Sequence, residues 1–455
     1  MKINRRFALT SGAAALAGTG AVGVTGLGAL FATGCGGGSD AAPVPPVIPA
    51  ANKYTQTNLV ANKASYKAQF TEPDFIDAWG IATRPAGAGG HFWVGGGGTS
   101  WQYVGDVKRS TTASLQPLFQ DGLKEVTVPG ADSLITEEST GKITGVVFNG
   151  AGLTENKFKV TTQTAVRPAG QTGAGATVTF DGSARFVFVA DSGIVSAWTD
   201  RASDGSTVRV DGPAAQVYDG AADKSAFFGV AIKPGSWDTM WLADFGAAPK
   251  IVTLNAAWEK VATAGFANPF GTGAGGAVKP GDPVPFNIQV VNDGTKDRVF
   301  VAYALSQEDP AVPGSFYAAE EDALDAAAEA ASGNKPNKGK LVEFDTAGNQ
   351  VRIYADAMRL NAPWGIAIAP ADFGLLSGKL LVGNFGGAGR ICAFDLATGA
   401  YIDDLKDAAG KAVAIAGLWA LQFGNGVSLG DSNALYFAAG PDDEKDGLFG
   451  SLRVA

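Results

Sequence analysis

Residues 363–367 read Pro-Trp-Gly-Ile-Ala, which sets an aromatic residue and then a small residue ahead of an apolar run. The same order recurs along the chain, with threonine in the aromatic position once, and a second strand-like run follows each time. The six copies are 78–82 (AWGIA), 143–147 (ITGVV), 227–231 (FFGVA), 285–289 (PFNIQ), 363–367 (PWGIA) and 418–422 (LWALQ). Short apolar runs that recur in this way, separated by turn residues, indicate one small antiparallel sheet per copy.

A single small sheet cannot bury both of its faces. Stacking such sheets around an axis buries each against the next and leaves only short edges. We therefore predict an all-β fold in which residues 54–455 form one β-propeller domain of six blades. The small residue in each copy fits an inner strand near the axis, where neighbouring strands crowd together. Residues 55–60 (TQTNLV) are expected to supply the outer strand of the last blade and close the ring.

One segment inside the fourth copy breaks the strand pattern. Residues 317–332 (YAAEEDALDAAAEAAS) are rich in alanine and acidic residues, a composition that favours a helix. We expect a short, solvent-exposed acidic helix inserted in the propeller. A docking surface for a partner is the alternative interpretation.

The first residues read as a targeting sequence rather than as part of the fold. A basic start that includes Arg5-Arg6 is followed by an uncharged run, so residues 1–34 are predicted to be a signal peptide. The arginine pair, followed by Phe-Ala-Leu, resembles a twin-arginine signal, and an ordinary Sec signal is the alternative.

The end of the uncharged run, Ala32-Thr-Gly-Cys35, resembles the lipobox of bacterial lipoproteins, with alanine in place of the usual leucine-like residue. We expect a lipid on Cys35 to anchor the chain to a membrane surface without spanning it. Residues 35–53, rich in small residues and proline, are predicted to be a flexible tether. The predicted location is the periplasm or the outer membrane. Ordinary cleavage near Ala32, giving a secreted protein, is the alternative.

The net charge limits which partners are expected, and the cysteine content limits the roles of the thiols. The net charge is −9, and loss of residues 1–34 with their three cations takes it to −12. Such acidity argues against nucleic acid as a partner. Membrane contact is expected through the lipid anchor, with no transmembrane helix in the mature chain. Cys392, in the apolar run 391–394 (ICAF), is predicted to be a buried structural thiol.

Polar residues end several of the second-strand runs, namely Asp191, Asp244 and Asn384. Because equivalent strand ends lie at one level around a propeller channel, we expect these side chains and Asn287 to converge. Such an oxygen-rich cluster suits a divalent cation such as Ca²⁺. The alternative is that these side chains end their strands by bonding to loop amides.

The aromatic positions Trp79, Phe228, Phe286, Trp364 and Trp419 are candidates for lining a channel that stacks a ligand. Packing between the blades explains the same residues at least as well. Both interpretations stay open at this point.

The sequence offers little support for a known catalytic motif. His91 is the only histidine, and no G-x-S-x-G elbow accompanies it, which disfavours a Ser-His-Asp hydrolase. C-x-x-C and H-E-x-x-H spacings are also missing, so zinc and haem sites are not expected. Whether the chain is an enzyme stays uncertain from its sequence.

Six stretches carry a resemblance to known proteins: 54–60 (YTQTNLV), 361–370 (NAPWGIAIAP), 381–386 (LVGNFG), 417–426 (GLWALQFGNG), 435–442 (LYFAAGPD) and 446–450 (DGLFG). They resemble an uncharacterised family of exported bacterial β-propeller proteins, similar in blade layout to NHL-repeat and SMP-30/gluconolactonase-type propellers. The resemblance spans residues 54–452 and implies the propeller fold and export. The wider group includes lactonases, binding modules and scaffolds, so the fold alone does not choose a function.

Two functions from different classes follow. The first is an exported, lipid-anchored binding or scaffold module that presents loops to a small molecule, a glycan or a protein. The second is a metal-dependent hydrolase of the lactonase type, in which Asp191, Asp244 and Asn384 hold a cation that polarises a carbonyl.

Overall fold

Strand β1 (Tyr54–Ala61) and the short β2 (Phe70–Thr71) begin the fold in a computed structural model. The structure describes residues 51–85, 87–131, 141–310, 312–317 and 325–455. The predicted signal peptide, the lipid anchor at Cys35 and most of the predicted tether lie outside these residues. Within them, no helix has the length and apolar character needed to cross a membrane.

Blades 1 to 3 follow in chain order. Blade 1 contains β3 (Ala78–Ala82), β4 (Phe92–Gly96), β5 (Thr99–Gly105), β6 (Leu118–Phe119) and β7 (Glu125–Thr127). Blade 2, with an insertion, contains β8 (Ile143–Phe148), β9 (Lys159–Val160), β10 (Thr164–Val166), β11 (Thr177–Thr179), β12 (Gly182–Ser183), β13 (Phe186–Ala190), β14 (Ile194–Trp198) and β15 (Ala215–Asp219). Blade 3 contains β16 (Phe227–Ile232), β17 (Thr239–Asp244), β18 (Lys250–Asn255) and β19 (Lys260–Val261).

Blades 4 to 6 complete the chain. Blade 4, with an insertion, contains β20 (Pro283–Asn292), β21 (Asp297–Leu305), β22 (Gln307–Glu308), β23 (Phe316–Tyr317), helix α1 (Ala326–Ala331), β24 (Gly339–Phe344) and β25 (Gln350–Ile353). Blade 5 contains β26 (Pro363–Ile368), β27 (Leu380–Asn384), β28 (Ile391–Phe394) and β29 (Tyr401–Asp404). Blade 6 adds β30 (Leu418–Phe423), β31 (Leu435–Ala439) and β32 (Leu448–Val454) to β1 and β2. Short 3-10 turns lie at Ala64–Tyr66, Ala113–Leu115, Ala221–Asp223, Ala274–Gly276 and Gly374–Leu376.

The six sheets share one plan. Blade 3 has the order β16-β17-β18-β19 from the axis outward, and blade 5 has the order β26-β27-β28-β29, with antiparallel neighbours throughout. Each inner strand is one of the aromatic-small copies and contacts the inner strands of both neighbouring blades, including β30 with β3. The sheets therefore form a closed ring, and the predicted six-bladed β-propeller is confirmed.

The ring is closed by pairing the start of the fold with its end. β1 runs antiparallel to β32, from Tyr54 opposite Val454 to Ala61 opposite Leu448. The hydroxyl of Tyr54 donates a hydrogen bond of 2.9 Å to the carbonyl of Phe373 in blade 5. The predicted closing strand is confirmed, and it is the fourth strand of blade 6 counted from the axis.

The small residues of the inner strands are required by the distance between blades. A Cβ added to Gly365 would lie 2.4 Å from the carbonyl oxygen of Trp419 in the next blade. A Cβ added to Gly229 would lie 2.8 Å from Cα of Asn287. Contacts this short cannot be accommodated without moving backbone, so the crowding predicted from the sequence is present.

The inserted helix is shorter and less exposed than predicted. Helix α1 spans six residues, capped by the Asp325 carboxylate, which accepts a 2.6 Å hydrogen bond from the Ala328 amide. The expectation of a solvent-exposed acidic helix is wrong at Glu329, which is only 3% exposed. Glu329 Oε1 accepts from Arg390 Nε of blade 5 at 2.7 Å, a partner that the local composition does not indicate. The predicted positions 318–324 lie outside the described residues.

We expect the substitution Glu329→Gln to lower the free energy of unfolding by about 2 kcal/mol, because a buried hydrogen bond between charged groups is lost. Urea denaturation followed by circular dichroism measures this. Glu155→Gln, at an exposed position, is the control and should change little. Equal effects of the two substitutions would show that the Glu329–Arg390 pair does not hold the insertion.

Cys392 is fully buried in β28, as predicted. Burial raises the pKa of its thiol well above the ordinary value, and the nearby Asp404 carboxylate raises it further. Because the thiolate is the reactive form, a chain carrying Cys35→Ala is expected to resist dithiobis(nitrobenzoate) until it unfolds. Absorbance of the released thiolate follows the reaction, and rapid labelling of the native chain would contradict this burial.

Candidate functional site

The predicted ligand residues at the second-strand ends each bond to backbone of their own blade. Asp244 is 2% exposed, and its Oδ1 accepts from the amides of Ala226 at 3.0 Å and Gly246 at 2.9 Å. Burial raises the pKa of Asp244 above its ordinary value, while these backbone donors oppose the rise. Asn384 is equally buried, and its Oδ1 accepts from the amide of Asn361 at 3.0 Å.

Asp191 repeats this arrangement in blade 2. Its carboxylate accepts hydrogen bonds from the amides of Gly141 at 2.5 Å and Lys142 at 2.8 Å, just before the inner strand. In three blades, therefore, the residue at the end of the second strand is bonded to the segment that enters the first strand. Within the described part of the chain, no three His, Cys, Asp or Glu residues are grouped so as to hold a metal. A cation at these positions stays a prediction.

Asn287 occupies a different place. It stands at the small-residue position of blade 4, where its side chain is 2% exposed. Its Nδ2 donates a 2.7 Å hydrogen bond to the carbonyl of Trp364 in blade 5. Its Oδ1 lies against Gly229 of blade 3, where an added Cβ would come within 2.1 Å. A single side-chain amide thus contacts both neighbouring blades.

The predicted channel aromatics pack against each other at the end of the channel where the inner strands begin. The five residues, here called the aromatic plug, are Trp79, Phe228, Phe286, Trp364 and Trp419. Trp419 is fully buried, and its ring stacks on that of Trp79 with centroids 3.4 Å apart and on that of Phe385 at 3.9 Å. The indole of Trp364 donates a 2.7 Å hydrogen bond to the carbonyl of Phe228. These rings fill one end of the channel.

Beyond the plug the channel widens into a cavity of about 300 Å³, here called the channel cavity. Its walls are the parts of the inner strands that follow the aromatic-small pair, and Trp364 of the plug contributes to its lining. The polar side chains of its lining are Thr83, Asn287, Gln289, Asn292, Asp297 and Gln422. Of the predicted site residues, the cavity brings together Asn287 and Trp364.

Sequence reasoning missed the rest of the cavity lining, and Trp237 is the largest side chain among the residues it missed. It lies in the turn between β16 and β17 with φ of 50°, a left-handed conformation in which a bulky side chain costs roughly 1–3 kcal/mol. Its indole packs so closely on Gly150 that an added Cβ there would lie 2.4 Å from the ring. The stretch 233–239 (KPGSWDT) signals a turn, but nothing in it indicates that the indole reaches the cavity.

Fold and cavity together define the class of protein: a six-bladed β-propeller with a central channel filled at one end and hollow at the other. No family model matches the chain. Three mimivirus proteins are similar to parts of it. Uncharacterized protein L690 of Acanthamoeba polyphaga mimivirus is 32% identical over 174 residues, which cover 38% of this chain and 40% of L690.

The other two relatives are from the same virus. Uncharacterized protein R648 is 27% identical over 398 residues, covering 87% of this chain and 78% of R648. Uncharacterized protein R640 is 41% identical over 80 residues, covering 18% of this chain and 15% of R640. The matched part of the chain thus spans less than half of L690 and of R640.

The solved structures to which the chain is similar in part include two examples. The crystal structure of BBS1N in complex with ARL6DN gives a TM-score of 0.32 at 12% identity, covering 80% of this chain and 74% of that one. The WD40 β-propeller domain of Doa1 gives a TM-score of 0.36 at 10% identity, covering 82% and 93%. With scores this low, the propeller assignment rests on the strand pairing of the chain itself. The bacterial origin and the likeness to NHL-repeat and SMP-30/gluconolactonase-type propellers stay predictions.

Proposed function

We propose that this chain is a non-catalytic binding module whose ligand occupies the channel cavity. The observation that carries the proposal is the cavity itself, which backs onto the aromatic plug and is lined by polar groups on an apolar wall. Protein sites for small ligands are concave, mostly apolar and furnished with a few fixed polar groups. Among the lining residues that the structure describes, one carboxylate, Asp297, is present and histidine, cysteine and lysine are not.

The backbone supplies further polar groups to the cavity. Each inner strand pairs with its own blade on one side only, as β16 does with β17 and β20 with β21. An unpaired strand edge presents a row of free N–H and C=O groups. Since six such edges surround the axis, a ligand in the channel meets donors and acceptors that are already held in place.

Thermal unfolding of the full chain tests this proposal against four classes of compound at millimolar concentration: neutral saccharides, amino acids, sugar phosphates and dicarboxylates. A ligand that binds only the folded chain raises the unfolding midpoint. We expect one class to raise it in the natural chain and not in a Gln422→Trp variant, whose larger side chain fills the cavity. Gln307→Trp, at an exposed position in β22, is the control. A midpoint that no class raises, or that rises equally in all three proteins, would contradict the proposal.

A divalent cation held by Asp191, Asp244 and Asn384, and with it the lactonase-type hydrolase, stays a prediction from the sequence. Calcium titration of the full chain and of its Asp244→Asn variant tests it. The hydrolase interpretation needs calcium binding that is lost in the variant. Absence of binding in both proteins would overturn it.

We also propose, from the sequence alone, that the chain is exported and anchored by a lipid on Cys35. The lipobox-like Ala32-Thr-Gly-Cys35 supports this. Fractionation of cells expressing Cys35→Ala is the test, because loss of the anchor should release the chain from the membrane. A variant that stays membrane-bound would contradict lipidation.

A further inference from the structure

We infer that the ligand of the channel cavity is an uncharged, hydroxyl-rich small molecule of the carbohydrate class, stacked on Trp237. This inference rests on the proposed binding function and names its ligand. It follows from three features of the cavity: amide side chains at one level of the channel, an aromatic ring at its wall, and the scarcity of charge in its lining.

The amides lie at equivalent positions of two blades. Gln289 and Gln422 each follow the small-residue position of their inner strand by two residues, so their side chains stand at one level of the channel. Asn287 lies one level closer to the plug. An amide both donates and accepts hydrogen bonds, as a hydroxyl group does, so amides match sugar hydroxyls without requiring a charge.

These side chains have hydrogen-bond donors or acceptors that the protein does not use and a ligand can. Gln422 Nε2 donates to its neighbouring carbonyl at Phe423, 3.2 Å away. Asn287 uses Nδ2 for the carbonyl of Trp364. Gln289 and Thr83 are only partly buried, and within the described part of the chain their side chains are not hydrogen-bonded to protein. A sugar entering the cavity can therefore bond to side chains without first breaking bonds inside the protein.

Trp237 supplies the flat apolar surface that the C–H face of a sugar ring needs. Trp237 is half-buried and lines the cavity, and Trp364 of the aromatic plug also contributes to the lining. Trp237 is fixed by Gly150 behind it and by its own amide, which donates to the carbonyl of Lys233 at 3.1 Å. A ring held in this way loses little freedom when a ligand stacks on it.

Charge argues against anionic small molecules. The described lining includes Asp297 but neither lysine nor arginine, and the whole chain carries a net charge of −9. A phosphate or carboxylate would enter an acidic field with no cation to pair with. A neutral polyol is not repelled by the acidic field and needs no cation as a partner.

Isothermal titration of the full chain tests the inference with glucose, N-acetylglucosamine, maltose and cellobiose as neutral probes. Glucose 6-phosphate, glucuronate and glucosamine are the charged counterparts. We expect at least one neutral probe to bind about tenfold more tightly than any charged one. Trp237→Ala should weaken that binding about tenfold or more, as should Gln289→Leu, which keeps the size of the side chain and removes its amide.

Trp258→Ala is the matched control, because Trp258 is also a half-buried tryptophan in a turn with positive φ and does not line the cavity. It should leave binding unchanged, and unfolding midpoints of all variants verify that they fold. A charged probe that binds best and is blocked by Gln422→Trp would overturn the inference and leave the proposed function standing. Neutral saccharides that bind Gln422→Trp as well as the natural chain would overturn both.

Discussion

A chain that lacks β1 (Tyr54–Ala61) is expected to lose cooperative unfolding, because blade 6 then has no strand to cover β32. Tyr54, Leu59 and Val60 are each at most 1% exposed. Burying a large apolar side chain contributes about 1.5–3 kcal/mol, so these three account for a sum of about 5–9 kcal/mol. That is comparable to the whole stability of a typical domain. Differential scanning calorimetry of a chain beginning at Ala64 measures the loss.

The matched control begins at Ala51 and keeps β1. A synthetic peptide of residues 51–61 added to the shorter chain should restore part of the transition, since it can pair with β32 from outside. If the chain beginning at Ala64 unfolds at the same midpoint as the one beginning at Ala51, the ring does not depend on β1 for closure.

The substitution Gly365→Ala is expected to lower the free energy of unfolding by about 3 kcal/mol through overpacking between blades 5 and 6. The added Cβ would lie 2.4 Å from the carbonyl oxygen of Trp419 and 2.9 Å from the amide nitrogen of Leu421. Both are backbone atoms of β30, so no side-chain rotation relieves the contact. Denaturant titration monitored by tryptophan fluorescence measures the change.

Gly122→Ala provides the comparison, because a Cβ at that exposed glycine meets no atom within 4 Å. Its stability should stay within about 0.5 kcal/mol of the natural chain, as is usual for surface substitutions. Similar stability of the two alanine variants would mean that the inner strands are further apart than the structure has them.

The repeat predicts most of this fold because the same local packing requirement recurs in every blade. A strand near the axis needs a small residue, and that requirement appears in the sequence as Gly229 or Gly365 behind an aromatic residue. The first inner strand, Ala78–Ala82, coincides with its sequence copy. The closing strand follows from its position in the chain, since a ring of blades needs a partner strand for its last sheet.

The features that escaped prediction depend on contacts between distant segments. Glu329 belongs to an acidic, alanine-rich stretch, and only the fold brings Arg390 to it. The repeat register correctly places Asp244 and Asn384 at equivalent strand ends, but not the direction of their side chains. Loop amides next to each residue set that direction, and they bond Asp244 within blade 3.

The cavity residues also divide into those that the sequence indicates and those that it does not. Asn287 stood out in the sequence as an oxygen-bearing side chain that the repeat places near the channel. Trp237 did not, since its place at the cavity comes from a left-handed backbone conformation and from packing against Gly150 in another blade. Neither property leaves a pattern in the surrounding residues.

The most direct test of the cavity as the ligand site is thiol labelling of a Gln289→Cys variant. The variant also carries Cys35→Ala, and the remaining Cys392 is buried and is not expected to react. The labelling rate with an uncharged maleimide is measured with and without a saturating neutral saccharide. The predicted result is labelling in the free protein and protection of about tenfold or more by the saccharide. A labelling rate that the bound saccharide leaves unchanged would contradict the channel cavity as the binding site.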